Sequence, residues 1–215
     1  MGAHEDSAPS ATVPPLARSR GLATRARLLD EAERRFAEFG FHGASLTDIA
    51  SECGVGNAGL LHHFPSKSRL YRAVLQRLAD DLEARLVRAA AARTPKARLQ
   101  AALRQHLGYV LERPAGARLL LRELLDNVDR LERAKTLPLA DFTAGMCKLI
   151  EEAQAARVAA KGPAIVQLCQ YLGAVHYGHV VRPTFLRLKD EAVLRDDEVW
   201  LKAVAAAAAK SLLRV

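Results

Sequence analysis

A tight glycine turn between two short segments is the feature that most constrains how this chain can fold. Residues 54–67 read GVGNAGLLHHFPSK, in which Gly54 ends one segment and Pro65 ends the next. The second segment carries the apolar residues Leu60 and Phe64, which are expected on its inner side. Two short helices joined by such a turn are typical of the helix-turn-helix motif, whose second helix enters the DNA major groove. The sequence therefore predicts a DNA-binding unit in its N-terminal part.

Apolar residues recur at helical spacing along most of the chain, and no strand-like alternation or internal repeat stands out. Helix starts are indicated by Ser45, Ser66 and Thr94-Pro95, because these side chains can accept hydrogen bonds from free backbone N–H groups. Pro183 is expected to end or kink the helix that contains it. The predicted fold class is all-α, with helices at 22–39, 46–53, 57–63, from Ser66 to beyond Leu86, 95–112, 114–128, 138–159, 163–181 and 196–213.

Composition narrows the class of protein further. The net charge of +8 suits a partner with phosphates. Residues 18–79 hold ten basic and six acidic side chains, however, so charge alone does not locate the DNA-binding end. No apolar run of about 18 residues exists, and the N-terminus lacks the apolar core of a secretory signal.

The three cysteines Cys53, Cys147 and Cys169 are far apart and each lies in an apolar helical pattern. This spacing argues against a disulfide framework or a structural zinc site. Each cysteine is expected to be a small buried hydrophobic residue. Together with the missing membrane and secretion signals, this predicts a cytoplasmic protein with no membrane partner.

The N-terminal part resembles a known family. The chain contains TRARLLDEAERRFAEFG followed by FHGASLTDIASECGVGNAGLLHHFPSKSRLYRAVL. The pieces FxxxGFxxxSLxDIAxxxGV, LxHHFPSK and LYRAVL occur in the order and spacing found in the DNA-binding domain of TetR-type transcriptional regulators. This resemblance extends from about Ala23 to Leu75, whereas residues 76–215 resemble the family only in length and helical character.

Composition and the resemblance together predict three parts. Residues 1–19, rich in alanine, serine and proline, are predicted to form a disordered tail. Residues 20–66, called the head below, form the helix-turn-helix domain. Residues 67–215, called the body, form a helical domain that binds a small effector and makes a homodimer. The small-residue stretch at 203–213 and the all-round apolar helix at about 163–181 are independent features that favour a dimer interface.

By the same resemblance, the DNA-facing positions fall on Asn57, Ala58, Gly59, Leu61 and His62. An asparagine can bind an adenine edge through two hydrogen bonds, and apolar side chains can contact thymine methyl groups. The full predicted DNA-binding set adds residues at helix starts and ends that suit phosphates: Ser45, Thr47, Asn57, Ala58, Gly59, Leu61, His62, His63 and Lys67.

Two positions depart from the family pattern. Gly56 stands where a serine commonly caps the third helix, and glycine supplies no hydroxyl. Leu61 stands where a tyrosine commonly contacts phosphate. We therefore expect affinity or sequence recognition to depend more on the other residues of this surface.

Polar or aromatic residues within apolar helices are the candidates for an effector pocket, because ligand pockets are mainly apolar with a few polar anchors. The predicted ligand-binding residues are His106, Tyr109, Asn127, Phe142, Met146, Cys169 and His176. His176 and His179 are three residues apart, but no third metal ligand is evident, so no metal is predicted. No cofactor is predicted either.

The leading hypothesis is a DNA-binding transcriptional regulator, a homodimeric repressor that a largely apolar small molecule releases from a palindromic operator. One alternative is an architectural DNA-binding protein or an activator that has no small-molecule effector. An enzyme is the third class, and it is not expected, because the sequence contains no P-loop, GxSxG, HExxH or CxxC motif. The sequence leaves the operator, the effector and the regulated genes open.

Overall fold

The computed structural model describes residues 15–126 and 137–213, with side chains from residue 19 onward. Within these ranges the chain is helical and contains no β-strand, only an isolated bridge between Ala159 and Leu213. The all-α prediction is therefore confirmed. The helices are α1 Pro15–Gly43, α2 Leu46–Glu52, α3 Asn57–His63, α4 Lys67–Ala90, α5 Pro95–Glu112, α6 Pro114–Asp126, α7 Ala140–Ala155, α8 Ala164–Leu188 and α9 Asp197–Leu212, with a 3-10 turn at Ala192–Leu194.

Side-chain caps fix four helix starts where the sequence predicts them. The side chains of Ser45, Ser66, Thr94 and Asp196 each accept a hydrogen bond from the backbone N–H three residues further on. These bonds satisfy N–H groups that have no partner inside the helix. Gly54, at φ +63°, forms the predicted turn after α2.

Several helix boundaries differ from the prediction. Helix α1 begins at Pro15, so residues 15–19 are helical rather than part of a disordered tail, and residues 1–14 lie outside the described ranges. Gly40, at φ +72°, interrupts α1 as expected, but one more turn follows to Gly43. Helix α7 ends at Ala155 instead of near residue 159, and Arg157, two residues after this end, adopts a positive φ.

Helix α8 continues through Pro183 to Leu188, so the predicted end near residue 181 is wrong. A proline inside a helix removes one backbone hydrogen bond and strains the preceding turn. The C-terminal turns of α8 are largely exposed to solvent. Water can therefore satisfy the backbone groups that Pro183 leaves free, which explains why the helix persists.

Helix α1 joins the head to the body by packing against α4 and α6. Gly116 of α6 makes a close approach there, since a Cβ atom at this position would lie 2.8 Å from Leu78 and 2.9 Å from Glu33. The buried carboxylate of Glu33 binds the guanidinium groups of Arg77 and Arg113. This arrangement of paired charges fixes α1 against α4 and α6.

The described helices include none that is long and apolar enough to span a lipid bilayer.

Candidate DNA-binding surface and ligand cavity

The short helices α2 and α3 are held in a fixed orientation by a glycine turn and an apolar core. The Gly54 N–H donates to the Ser51 carbonyl at 2.9 Å, and the Val55 N–H donates to the Ala50 carbonyl at 3.0 Å. The apolar side chains beneath the two helices are almost completely buried: Leu28, Phe36, Ile49, Ala50, Leu60 and Phe64. Burial of this set fixes which side of α3 faces solvent.

The outer face of α3 lies free in this structure. Asn57, Ala58, Gly59, Leu61 and His62 are exposed, as expected for side chains that would reach into a DNA groove. His63, the remaining predicted residue of α3, is half-buried. Gly56 caps the helix through its backbone alone, with no side-chain hydrogen bond. The described residues of α3 carry no acidic side chain, which leaves this surface compatible with phosphates.

The predicted phosphate-contacting residues lie at the ends of neighbouring helices. Ser45 is half-buried and caps α2 through its hydroxyl, and Thr47 is exposed in the first turn of the same helix. The Lys67 ammonium donates to the His42 carbonyl at 3.0 Å and lies 5.2 Å from the centroid of the Phe41 ring. Lys67 therefore also links α4 to the end of α1, a structural role that the sequence did not indicate.

Two arginines of α1 lie beside the helix-turn-helix unit, and neither is in the predicted set. The Arg27 guanidinium donates to the Cys53 carbonyl at the C-terminus of α2, where a cation opposes the partial negative charge of the helix end. The Arg25 guanidinium lies 5.0 Å from the centroid of the Phe64 ring, next to the end of α3. Arg25 is exposed, so we add it as a candidate phosphate contact.

A cavity of about 320 Å³ lies inside the body, between α4, α5, α6, α7 and α8. Its wall is mostly hydrocarbon. The aliphatic part consists of Leu82, Leu120, Leu121, Leu124, Leu139, Ile165, Leu168 and Leu172, with Gly173 beside them. The other lining residues are His106, Phe142, Thr143, Cys169 and His176. This volume falls within the range of about 300–1,000 Å³ that is usual for small-molecule sites.

Four predicted ligand-binding residues line this cavity together: His106, Phe142, Cys169 and His176. Tyr109 and Met146 do not line it. Tyr109 lies instead near Arg85, whose guanidinium is 5.7 Å from its ring, and Met146 is fully buried in the packing between helices. Both residues are thus corrected to core positions. Asn127 lies outside the described residues.

The sequence did not identify the aliphatic walls of the cavity, because the search favoured polar and aromatic residues within apolar helices. Leucines that line a cavity and leucines that fill a core have the same helical spacing. The sequence did contain one signal for these walls. Leu120, Leu121 and Leu124 of α6 form an apolar stripe that is wider than a helix needs to pack against one neighbouring layer.

The two histidines of the cavity are in direct contact. Their Nε2 atoms lie 3.3 Å apart, and the His106 ring also packs against Phe142 and Tyr171. Burial lowers the pKa of His106 to about 3, and the neighbouring His176 adds to this effect. Burial also lowers the pKa of His176 to about 4, although a hydrogen bond to the Ala117 backbone opposes the shift. Both imidazoles are therefore neutral at pH 7.

The cysteines do not all have the expected environment. Cys53 is buried in the head core, as predicted. Cys147 is only half-buried and Cys169 is exposed at the cavity, so the prediction of three buried cysteines is wrong. Cys169 lies on a face of α8 that the described part of the chain leaves exposed. Across the described ranges, no three His, Cys, Asp or Glu side chains converge as a metal site would require.

Helices α8 and α9 pack closely against each other and expose an apolar outer face. A Cβ atom at Gly178 would lie 3.1 Å from Val204, so the absence of a side chain permits this approach. The Trp200 indole N–H donates to the Gly178 carbonyl at 2.8 Å. On the outer side, Val166 is 50% exposed and Tyr177 is 59% exposed. The predicted small-residue surface is also exposed on α9, at Ala203, Ala206 and Ala207.

Comparison with known proteins agrees with this architecture. Residues 28–74 match the family described as bacterial regulatory proteins, tetR family. Over 139 residues the chain is 32% identical to the HTH-type transcriptional regulator RutR of Escherichia coli strain K12, across 64% of this chain and 62% of that protein. Over 97 residues it is 36% identical to the HTH-type transcriptional activator FasR of Mycolicibacterium smegmatis, across 45% of this chain and 44% of that protein.

The likeness in fold covers more of the chain. A TetR-family transcriptional regulator from Agrobacterium tumefaciens superposes with a TM-score of 0.68 at 19% identity, over 90% of this chain and 100% of that structure. By sequence, in contrast, the chain spans 62% of the RutR relative's length.

The described chain combines a helix-turn-helix head with an all-helical body. This architecture is that of a helical DNA-binding regulator. Residues 28–74 thus match the tetR family of bacterial regulatory proteins by sequence, and the fold resembles that of a TetR-family regulator over 90% of the chain. The resemblance found in the sequence is thereby confirmed.

Proposed function

We propose that the protein is a DNA-binding transcriptional regulator that recognises operator DNA through α3. The observation that carries this proposal is the orientation of α3. Leu60 and Phe64 are buried, and Asn57, Ala58 and Leu61 face solvent. A short helix held this way can enter a major groove and present side chains to base edges.

A homodimer built from α8 and α9 accompanies this function. The exposed apolar side chains Val166 and Tyr177 and the exposed alanines of α9 support it, because contiguous apolar surface is characteristic of protein interfaces. Two heads related by a twofold axis would recognise a palindromic operator with half-sites roughly 34–36 Å apart, or a multiple of that distance. The protein would act in the cytoplasm, where its DNA target lies.

The cavity of about 320 Å³ is the proposed effector site. Helix α6 connects this site to the head. Its leucines Leu120, Leu121 and Leu124 line the cavity, and its Arg122 guanidinium donates to the Glu38 carbonyl of α1 at 2.8 Å. An occupant that displaces α6 would therefore also displace α1. A ligand that favours one head spacing over another changes operator affinity by this route.

We propose repression as the mode of regulation, with release of the operator when the effector binds. One of the relatives named above, FasR, is described as an activator. That name favours the alternative in which this protein activates transcription, so the direction of regulation needs its own measurement. Expression of a reporter gene placed behind the selected operator would increase on deletion of this protein if it is a repressor, and would decrease if it is an activator.

Selection from random duplexes, followed by a binding assay, tests the proposed function. We expect a palindromic consensus sequence. Asn57→Ala should weaken binding to that consensus by about 1–3 kcal/mol, with a much smaller effect on random DNA. Asn57 faces solvent on α3, so its loss should leave folding intact. Failure to enrich any sequence would refute specific binding, and equal losses on both DNAs would show that Asn57 contacts no base.

A further inference from the structure

The polarity of the cavity is confined to a few side chains. Within the described part of the chain, the lining includes no lysine, arginine, aspartate or glutamate. Its hydrogen-bonding side chains are Thr143, Cys169 and the two histidines of α5 and α8. Most of a bound molecule would therefore contact hydrocarbon, and no lining residue would supply a countercharge to a charged group on it.

The histidine pair leaves one hydrogen-bonding atom unmatched. A neutral imidazole has one N–H donor and one acceptor nitrogen. The Nε2···Nε2 contact of 3.3 Å uses one nitrogen of His106 and one of His176. The second nitrogen of His106, Nδ1, is buried and has no partner among the described residues. His106 itself is only 2% exposed.

An unmatched buried polar atom is unfavourable, because it has lost its hydrogen bonds to water and gained none in the protein. His106 is held in this state by packing against Phe142 on one side and Tyr171 on the other. His106 lines the cavity but Nδ1 itself is buried, so an occupant would remove this deficit once a turn of the ring brings Nδ1 to the cavity wall.

We propose that the cavity binds an uncharged, mainly hydrocarbon molecule that carries a single hydroxyl or carbonyl group, held by the His106–His176 pair. This inference rests on the proposed effector role of the same cavity and names the chemical class of the effector. The volume of about 320 Å³ is roughly twice that of an engineered cavity that binds benzene. It therefore suits a molecule of about ten to fourteen non-hydrogen atoms.

The histidine pair can act towards a ligand as a hydrogen-bond acceptor or as a hydrogen-bond donor. In one tautomer His106 offers an acceptor nitrogen to a ligand hydroxyl, and in the other it offers an N–H to a ligand carbonyl. The pair does not compensate a full charge. Burial lowers the pKa of both imidazoles far below 7, so neither provides a cation for a carboxylate. A buried ion without a countercharge is strongly disfavoured.

Four probes of similar size separate these chemistries: 4-phenyl-1-butanol, 4-phenylbutanoate, 4-phenylbutylammonium and butylbenzene. Calorimetry on the full-length protein at pH 7 should show that the alcohol binds at least about tenfold more tightly than either ion. His106→Phe keeps a ring of similar size and removes the hydrogen-bonding nitrogens. It should weaken binding of the alcohol about tenfold and change binding of butylbenzene much less.

Two further variants make the test complete. His176→Phe should give the same loss if His106→Phe does not fold. Cys169→Trp fills the cavity from its edge and should abolish binding of both the alcohol and butylbenzene, which locates the probes in the cavity. Ala144→Trp, on the exposed side of α7, is the matched control and should bind both normally.

Three results would overturn the proposal: ions that bind as tightly as the alcohol, an unchanged preference for the alcohol over butylbenzene in His106→Phe, or no binding by any of the four probes at millimolar concentration. Operator binding is measured in a separate assay, first without probe and then with the alcohol, so none of these results bears on DNA recognition itself. If the alcohol binds as expected and operator affinity does not change, the ligand class stands and effector control of DNA binding falls.

Discussion

The Tyr71 hydroxyl donates a hydrogen bond of 2.6 Å to the Glu123 carboxylate, and both side chains are buried between α4 and α6. Tyr71 also packs edge-on against Phe36 of the head core, with ring centroids 4.8 Å apart. Glu123 follows directly after Arg122, which binds the end of α1. A single turn of α6, the helix that forms one wall of the cavity, therefore contacts both the head core and α1.

Loss of this bond should destabilise the protein measurably. Tyr71→Phe preserves the ring packing and leaves Glu123 without this donor, so we expect the free energy of unfolding to fall by about 1.5–3 kcal/mol, as for hydrogen bonds to charged groups. Urea denaturation measures the change. Ser68→Ala removes a hydroxyl from an exposed side chain of α4 and should change stability by less than about 0.5 kcal/mol. Equal effects of the two substitutions would contradict the importance of the buried bond.

The buried histidines predict a loss of stability in mild acid. The pKa values of His106 and His176 in the folded protein, about 3 and 4, lie below the usual value of 6.5. The unfolded chain therefore takes up protons first as the pH falls. This contribution to stability is fully present above pH 7 and is lost progressively below about 6.5.

Between pH 7 and pH 5, each buried histidine should reduce the free energy of unfolding by about 2 kcal/mol. Urea unfolding at the two pH values measures this change. In the double variant His106→Phe/His176→Phe, most of this pH dependence should disappear, whatever its stability at pH 7. A double variant with the wild-type pH dependence would show that other groups cause the acid sensitivity.

The sequence predicted the head better than the body, for a physical reason. In the head, short-range signals decide the structure: Ser45 and Ser66 cap helices, Gly54 supplies a positive φ, and Leu60 and Phe64 fix the inner side of α3. Each of these effects acts within a few residues, so one sequence is enough to predict it.

The cavity depends on contacts between residues that are distant in the chain. His106 and His176 are 70 residues apart, and nothing in their local sequence indicates that their rings meet. Tyr109, three residues after His106, does not line the cavity and lies near Arg85, and Met146 of α7 fills the core. Helical periodicity shows that such residues are buried, and it does not distinguish a core position from a cavity wall.

Lys67 is expected to bind a DNA phosphate as well as the end of α1. Lys67→Ala should reduce the steepness of the salt dependence of operator binding by about one unit, equally on specific and random DNA. Loss of its contacts with Phe41 and the His42 carbonyl should also cost about 0.5–1 kcal/mol of stability. Lys148→Ala, which removes the same charge from the exposed side of α7, is the control. An unchanged salt dependence in Lys67→Ala would leave Lys67 with its structural role only.

The exposed faces of α8 and α9 predict that the protein is a dimer. Ala206 lies on the exposed side of α9, and the apolar side chains Val166 and Tyr177 are exposed on α8. If a second subunit covers this surface, Ala206→Glu places an unpaired charge in the interface. The cost of burying that charge should weaken the dimer by about a hundredfold or more.

Sedimentation at micromolar concentration distinguishes the two states. We expect a wild-type dimer, a monomeric or much weaker Ala206→Glu variant, and an unaffected Ala144→Glu control, because Ala144 is an exposed alanine on α7. The monomeric variant should also bind a single half-site weakly and lose its preference for the palindrome, since the two heads are then no longer held at a fixed spacing. A wild-type monomer would refute the interface, and a dimer that tolerates Ala206→Glu would place it on another surface.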